Sequence, residues 1–164
     1  MEEQKKKNEV RLAVVRIRGS IGVDAPKEDT MKKLRLYRKN GCVVVKGNDC
    51  YVNMIIKIKD FVTWGEIDEE TFSKLFKERA RVVGNKKVTD DYMAKNAKMK
   101  MDQFVKEFMS GKVELKDVPG LKPFFRLSPP VKGFDRKGIK LPFSLGGALG
   151  YRKDRINDLV KRMI

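Results

Sequence analysis

Two periods of apolar spacing run through this chain, and their order predicts its elements. From Val10 to Arg18, the residues Val10, Leu12, Val14 and Arg16 share one face while Ala13, Val15 and Ile17 share the other. Apolar side chains on both faces predict a central strand, covered on one side and partly occluded on the other. Gly19 to Gly22 reads as a turn, after which Asp24 suits an N-cap, with Pro26, Glu28 and Asp29 in the first turn of a helix. That helix is expected to reach about Lys39, with Met31, Leu34 and either Tyr37 or Arg38 bracketing its buried stripe and Asn40-Gly41 as a left-handed stop. Cys42 to Lys46 is short and β-branched, a second strand. The next stretch reads two ways. Tyr51, Ile55, Ile58 and Val62 have helical spacing, whereas Ile56-Lys57-Ile58-Lys59 alternates like a strand; a cap at Asn48 or Asp49 and the length of the stripe favour a helix. A third strand follows over Phe61 to Ile67, interrupted by Gly65. The sum is β-α-β-α-β, a small sheet with two helices on one face.

Beyond it, Asp68-Glu69-Glu70 opens a helix over 68–81 with Phe72, Leu75, Phe76 and Arg79 on its inner side. Thr89-Asp90-Asp91 caps another, and Met101, Phe104, Val105 and Phe108 mark an amphipathic third over 99–109. From Lys112 to Gly150, five prolines and several glycines predict mostly loop, with a short extended piece at Phe124 to Leu127. Ile156, Leu159, Val160 and Met163 form the apolar side of a closing basic helix. The expected organisation is a charged tail over 1–9, a core over 10–67, a helical extension over 68–111, and a basic Gly/Pro-rich segment over 112–164.

Charge adds a function class. The 164 residues carry 38 Lys+Arg against 22 Asp+Glu, a net +16 that an anionic partner would neutralise. Residues 1–47 hold +7, residues 48–111 only +1, and residues 112–164 hold +8. Basic ends around a balanced middle point to two regions that meet nucleic acid. With no histidine, Ser-His-Asp and Cys-His catalysis and His-ligated zinc are excluded. Cys42 and Cys50 lack metal-ligand spacing, and Cys42 opens an apolar run where a buried thiol is expected. The polar N-terminus and the lack of a run of about 20 apolar residues lead to the expectation of a cytoplasmic protein without a membrane partner.

One arrangement could serve an enzyme. A strand ending in Arg16-Ile17-Arg18, a glycine turn and a helix N-terminus could hold a phosphate, as in small ferredoxin-like phosphatases, with Asn40 or Asn53 orienting water. The same geometry holds an RNA phosphate without turnover. Basic residues interleaved with aromatics make the stronger constellation: Lys32, Lys33, Arg35, Tyr37, Arg38 and Lys39 along the first helix, then Arg126, Lys132, Arg136, Lys137, Lys140, Arg152 and Lys153 beside Phe124, Phe125 and Phe134. Lysine and arginine neutralise phosphates, and exposed rings stack on splayed bases. Phe124 and Phe125 are expected to serve the core instead. The Gly/Pro-rich segment is expected to bury little of itself and to order against RNA.

Arg16-Ile17-Arg18-Gly19, the run Thr30 to Leu36, Asn48-Asp49-Cys50-Tyr51 and Lys59-Asp60-Phe61-Val62-Thr63-Trp64-Gly65-Glu66 resemble the large-subunit ribosomal protein family L-thirty, whose eukaryotic members are called L-seven. Arg79-Ala80, Leu127-Ser128-Pro129-Pro130 and Gly146-Gly147 resemble its archaeal branch. The resemblance implies an α+β fold with a ferredoxin-like, split β-α-β core, a three-stranded antiparallel sheet with two helices, and it turns the 51–61 stretch into a helix. Residues 68–164 would be an archaeal and eukaryotic extension, and the shortness of Lys5-Lys6-Lys7 beside the eukaryotic arm favours an archaeal source. It further implies a structural, non-catalytic component of the large subunit that binds ribosomal RNA, with proximity to 5S rRNA, neighbouring ribosomal proteins as partners, and neither cofactor nor small-molecule substrate. An assembly factor of the same fold is the alternative. Among contact residues the resemblance reaches only Arg16, Arg18, Thr30 and the Pro129-Pro130 region; the others rest on charge.

Overall fold

A strand that is apolar on both sides needs a layer against each, and the two halves of the chain supply them. The computed structural model describes residues 10–164, so the expected tail over 1–9 lies outside the described residues. Three strands make the centre: β1 (Arg11–Arg16), β2 (Gly41–Lys46) and β3 (Val62–Glu66). Two short strands, β4 (Phe125–Arg126) and β5 (Gly150–Tyr151), extend the sheet to the order β4-β2-β1-β3-β5. Every neighbouring pair is antiparallel except β3–β5. Val14 lies opposite both Val43 and Trp64, which sets the register.

The period of two divides β1 between the layers. Leu12 and Val14 face α1 (Ala25–Lys33) and α2 (Asp49–Lys57), packing with Met31, Leu36, Ile55 and Ile58. Ala13 and Val15, with Cys42 and Val44, face the extension: α3 (Glu69–Arg79), α5 (Met101–Met109) and α6 (Ile156–Met163). The short α4 (Asp90–Asn96) lies between, its N–H at Tyr92 donating 3.3 Å to Thr89 Oγ1. The second face of β1 is therefore wholly covered, not partly, and all six of its residues are buried. Spacings of three and four bring rings together in that layer: Phe72 stacks on Phe108 at 4.4 Å, and Phe76 meets Phe104 at 5.2 Å. Such pairs add about 0.5–1.5 kcal/mol each beyond burial. Burial pushes the Cys42 thiol up to about 12, so it acts as a core hydrophobe.

The 49–57 segment is a helix, and its cap is visible: Tyr51 N–H donates 3.1 Å to Asn48 Oδ1. The first helix departs from expectation. It ends at Lys33 rather than near Lys39, because Arg35 takes a left-handed φ of 60° and Leu36 N–H returns 2.8 Å to Met31 O. This is a Schellman stop built on arginine, and the reversal restores Leu36 to the core. Asp24 precedes the helix but makes no side-chain cap; its carboxylate pairs with Lys27 at 2.8 Å. Gly65 does not interrupt β3. A Cβ there would lie 2.1 Å from Lys153 O, so glycine permits the close approach of the turn into α6. The 112–150 stretch is mostly loop, but it buries Leu115, Val118, Leu121, Phe125, Leu127 and Leu149. This corrects the expectation that it buries little of itself.

Candidate nucleic-acid interface

Antiparallel pairing of β1 with β2 and β3 gathers the end of β1 and the starts of β2 and β3 at one end of the sheet. Segment 34–40 arrives there, and β4 lies beside it, with Gly41 opposite Arg126 and Leu127 N–H donating 3.0 Å to Asn40 O. Residues distant in sequence thereby line one pocket of about 160 Å³ that holds Arg35, Arg38, Lys39 and Arg126 together with Tyr37 and Phe124. The two rings meet edge to face at 5.9 Å and 82°, and Tyr37 is 53% exposed. No carboxylate of the described residues lines the pocket. Among the described residues these four cations make no ion pair. Left-handed backbone at Arg35 and Asn40 (φ 60° and 61°) shapes the segment that carries them. Phe125 is buried as expected, whereas Phe124 is only half-buried and shares the pocket wall.

Of the other expected contact residues, Arg18 is half-buried at the same end of the sheet, donating 3.2 Å to Asp60 O with its guanidinium 5.0 Å from the Phe61 ring centre. Lys32 and Lys33 are exposed on α1 but carry partners, Glu28 at 3.2 Å and Asp29 at 2.8 Å. Lys132, Arg136, Lys137 and Lys140 project from a loop whose Phe134, Ile139, Ala148 and Leu149 pack on Ile17, just past β1. Lys153 is exposed in the turn before α6. Thr30 is buried, its hydroxyl donating 2.8 Å to Pro26 O, and Pro130 is buried beside an exposed Pro129.

Two expected contact residues are corrected. Arg16 is only 2% exposed and donates to Leu36 O at 2.7 Å, Arg18 O at 2.9 Å and Ser20 Oγ at 3.0 Å. Arg152 is 3% exposed and donates to Thr63 Oγ1 at 2.8 Å, Ala148 O at 2.9 Å and Asp135 at 2.5 Å. Both guanidiniums are committed to the interior, where they tie loops to the sheet, and neither presents a face to a phosphate. Arg16 therefore cannot serve the phosphatase arrangement either, since its donors end on two backbone carbonyls and the Ser20 hydroxyl. A third internal arginine escaped sequence reasoning: Arg11 lies 4.1 Å from the Phe108 ring centre and donates 2.9 Å to Phe108 O. Burial lowers the pKa of Arg11 and of Arg16, against smaller opposing fields from Glu114 and Glu28. Only its place in an apolar alternation could have hinted at Arg11's fate.

Among the described residues no cluster of side chains could hold a metal ion, and no helix is long and apolar enough to cross a membrane. Residues 12–62 match the family model described as ribosomal protein L30p/L7e. The chain is 50% identical over 152 residues to the large ribosomal subunit protein uL30 of Methanococcus vannielii, covering 93% of this chain and 98% of that one. The protein of the same name from Methanopyrus kandleri is 46% identical over 149 residues, 90% of this chain and 100% of its own. That of Nanoarchaeum equitans is 46% identical over 152 residues, 93% and 97% of the two chains. Similarity of that extent runs well past Val62 into the layer that covers the second face of β1. The chain belongs to the ribosomal protein L30p/L7e family.

Proposed function

We propose that this protein is a structural constituent of the large ribosomal subunit, resident in the cytoplasmic ribosome, that binds ribosomal RNA through the pocket between segment 34–40 and β4. Family membership makes it a ribosomal protein and not an enzyme. The observation that carries the RNA reading is the convergence of Arg35, Arg38, Lys39 and Arg126 on two rings, without a carboxylate among the described residues. Phosphates would meet the cations, and an unstacked base would meet the exposed Tyr37 ring, an interaction worth about 1–3 kcal/mol. Lys132, Arg136, Lys137, Lys140 and Lys153 would widen the footprint from the neighbouring loop. In this reading residues 10–67 are the core, residues 68–111 brace its second face, and residues 112–164 deliver β4 and the loop cations. Proximity to 5S rRNA belongs to the same proposal.

The test is filter binding of the full chain to purified large-subunit ribosomal RNA across a salt series. Affinity should fall with a log-log slope of roughly −0.7 to −0.9 per phosphate neutralised, and changing Arg35, Arg38 and Lys39 to Ala should flatten it by about two to three. An unchanged slope would remove the pocket from the interface. Sedimentation of native subunits through moderate salt distinguishes a resident protein, which stays bound, from an assembly factor, which does not. A crosslinking map on the same particles reads which RNA, 5S included, lies closest.

A further inference from the structure

A second depression differs in chemistry from the first. Two helices about 10 Å across cover about four strands spaced about 4.8 Å apart. The sheet has five, and its β5 edge stays open, with Tyr151 exposed beside a half-buried Trp64. What results is a groove of about 420 Å³ between the outer side of α2 and the sheet, walled by Val10, Val52, Ile56, Trp64 and Tyr151. Ile56 is 48% exposed and Tyr151 45%, large apolar side chains whose outer halves no described residue covers.

The charges on this groove have the opposite sign to the chain's excess. Among the described residues its only charged lining residues are Asp49 and Glu66, in a protein with 38 Lys+Arg against 22 Asp+Glu. The Tyr151 phenol donates to Glu66 Oε1. Burial, then Glu66 and Asp154, push that phenol up to about 12, so it stays a neutral donor that fixes the carboxylate. RNA fits poorly: two carboxylates repel phosphate and the apolar floor offers a backbone no donors. A second copy fits poorly too, because a twofold contact would set Asp49 and Glu66 against their own duplicates. Charge and shape agree on a different occupant.

We infer that the groove between α2 and the β3–β5 edge docks a segment of another protein that inserts an aliphatic or aromatic side chain beside Ile56 and Trp64 and places flanking lysine or arginine on Asp49 and Glu66. The inference does not depend on the RNA reading, and its test leaves RNA binding aside.

Trp64 is the single tryptophan of the chain, so its emission reports on the groove directly. The full-length protein is titrated with a short peptide bearing a central Leu-Phe pair flanked by lysines. The expected result is a saturable change in Trp64 emission, weakened about tenfold or more by Ile56→Lys and about threefold by Asp49→Asn, both exposed positions. Peptides with glutamate for lysine, or with serine for the Leu-Phe pair, should bind at least about tenfold more weakly. Equal binding of either control, or no emission change, overturns the proposal. So does an emission change driven by ribosomal RNA, which would make the groove an RNA site. Self-association abolished by Ile56→Lys, read by sedimentation equilibrium, assigns it to a second copy and overturns the proposal equally. A variant without residues 1–9 that alone binds the peptide would show that the chain's own terminus fills the groove, and would overturn it as well.

Discussion

Arg16 and Arg38 have the same side chain and stand near the same end of the sheet, yet they belong to different regions of the molecule. Arg16, like Arg11 and Arg152, is sealed inside, its guanidinium satisfied by backbone carbonyls, a hydroxyl or a carboxylate. Arg38, with Arg35, Lys39 and Arg126, lines an open pocket without an ion-pair partner among the described residues. The interior set commits its hydrogen bonds to the fold; the pocket set makes no ion pair among the described residues. Net charge therefore overstates the exposed positive charge, because part of the excess is buried and structural.

The comparison can be broken most forcefully from the inside. Arg16→Ala leaves the carbonyls of Leu36 and Arg18 without their donor, and should cost about 3 kcal/mol in urea unfolding. A loss below about 1 kcal/mol would deny Arg16 its role as an internal tie. Gly65→Ala tests the β3 side of the interior, where the new methyl would press on Lys153 O; about 1–3 kcal/mol should be lost. The Arg35, Arg38 and Lys39 to Ala variant reverses the signature. It should keep the unfolding midpoint within about 0.5 kcal/mol per site, while weakening RNA binding about tenfold or more at low salt.

The smallest effect sharpens the boundary between the regions. Glu114 accepts from Lys46 at 2.6 Å, and that bond holds its carboxyl below the ordinary 4.5. A depressed carboxylate contributes stability that is fully present above its unfolded pKa and is lost as pH falls through the folded one. Since both side chains are about a third exposed, Glu114→Gln should cost only about 0.2–1 kcal/mol at pH 7, and the difference from wild type should vanish well below pH 4.5. Urea unfolding at several pH values reads it.

Legibility followed the range of the interactions. A cap at Asn48 or Asp49, the stripes Phe72-Leu75-Phe76 and Phe104-Val105-Phe108, and the two-faced β1 were readable because each is a local pattern. The end of α1 was not, because the left-handed stop fell on Arg35, a residue type with no preference for it. The pocket was visible in pieces, as Arg35 to Lys39 and as Phe124 to Arg126, but nothing in either piece specified the other.

By itself the sequence determined the order of the β-α-β-α-β core and the helices after it, the α+β class, the positive ends and the family, since spacing, composition and motif are properties of the chain as written. Tertiary structure alone decided which cations face water. An arginine's place depends on whether carbonyls from distant turns converge to satisfy its guanidinium, and such convergence exists only once the strands have paired.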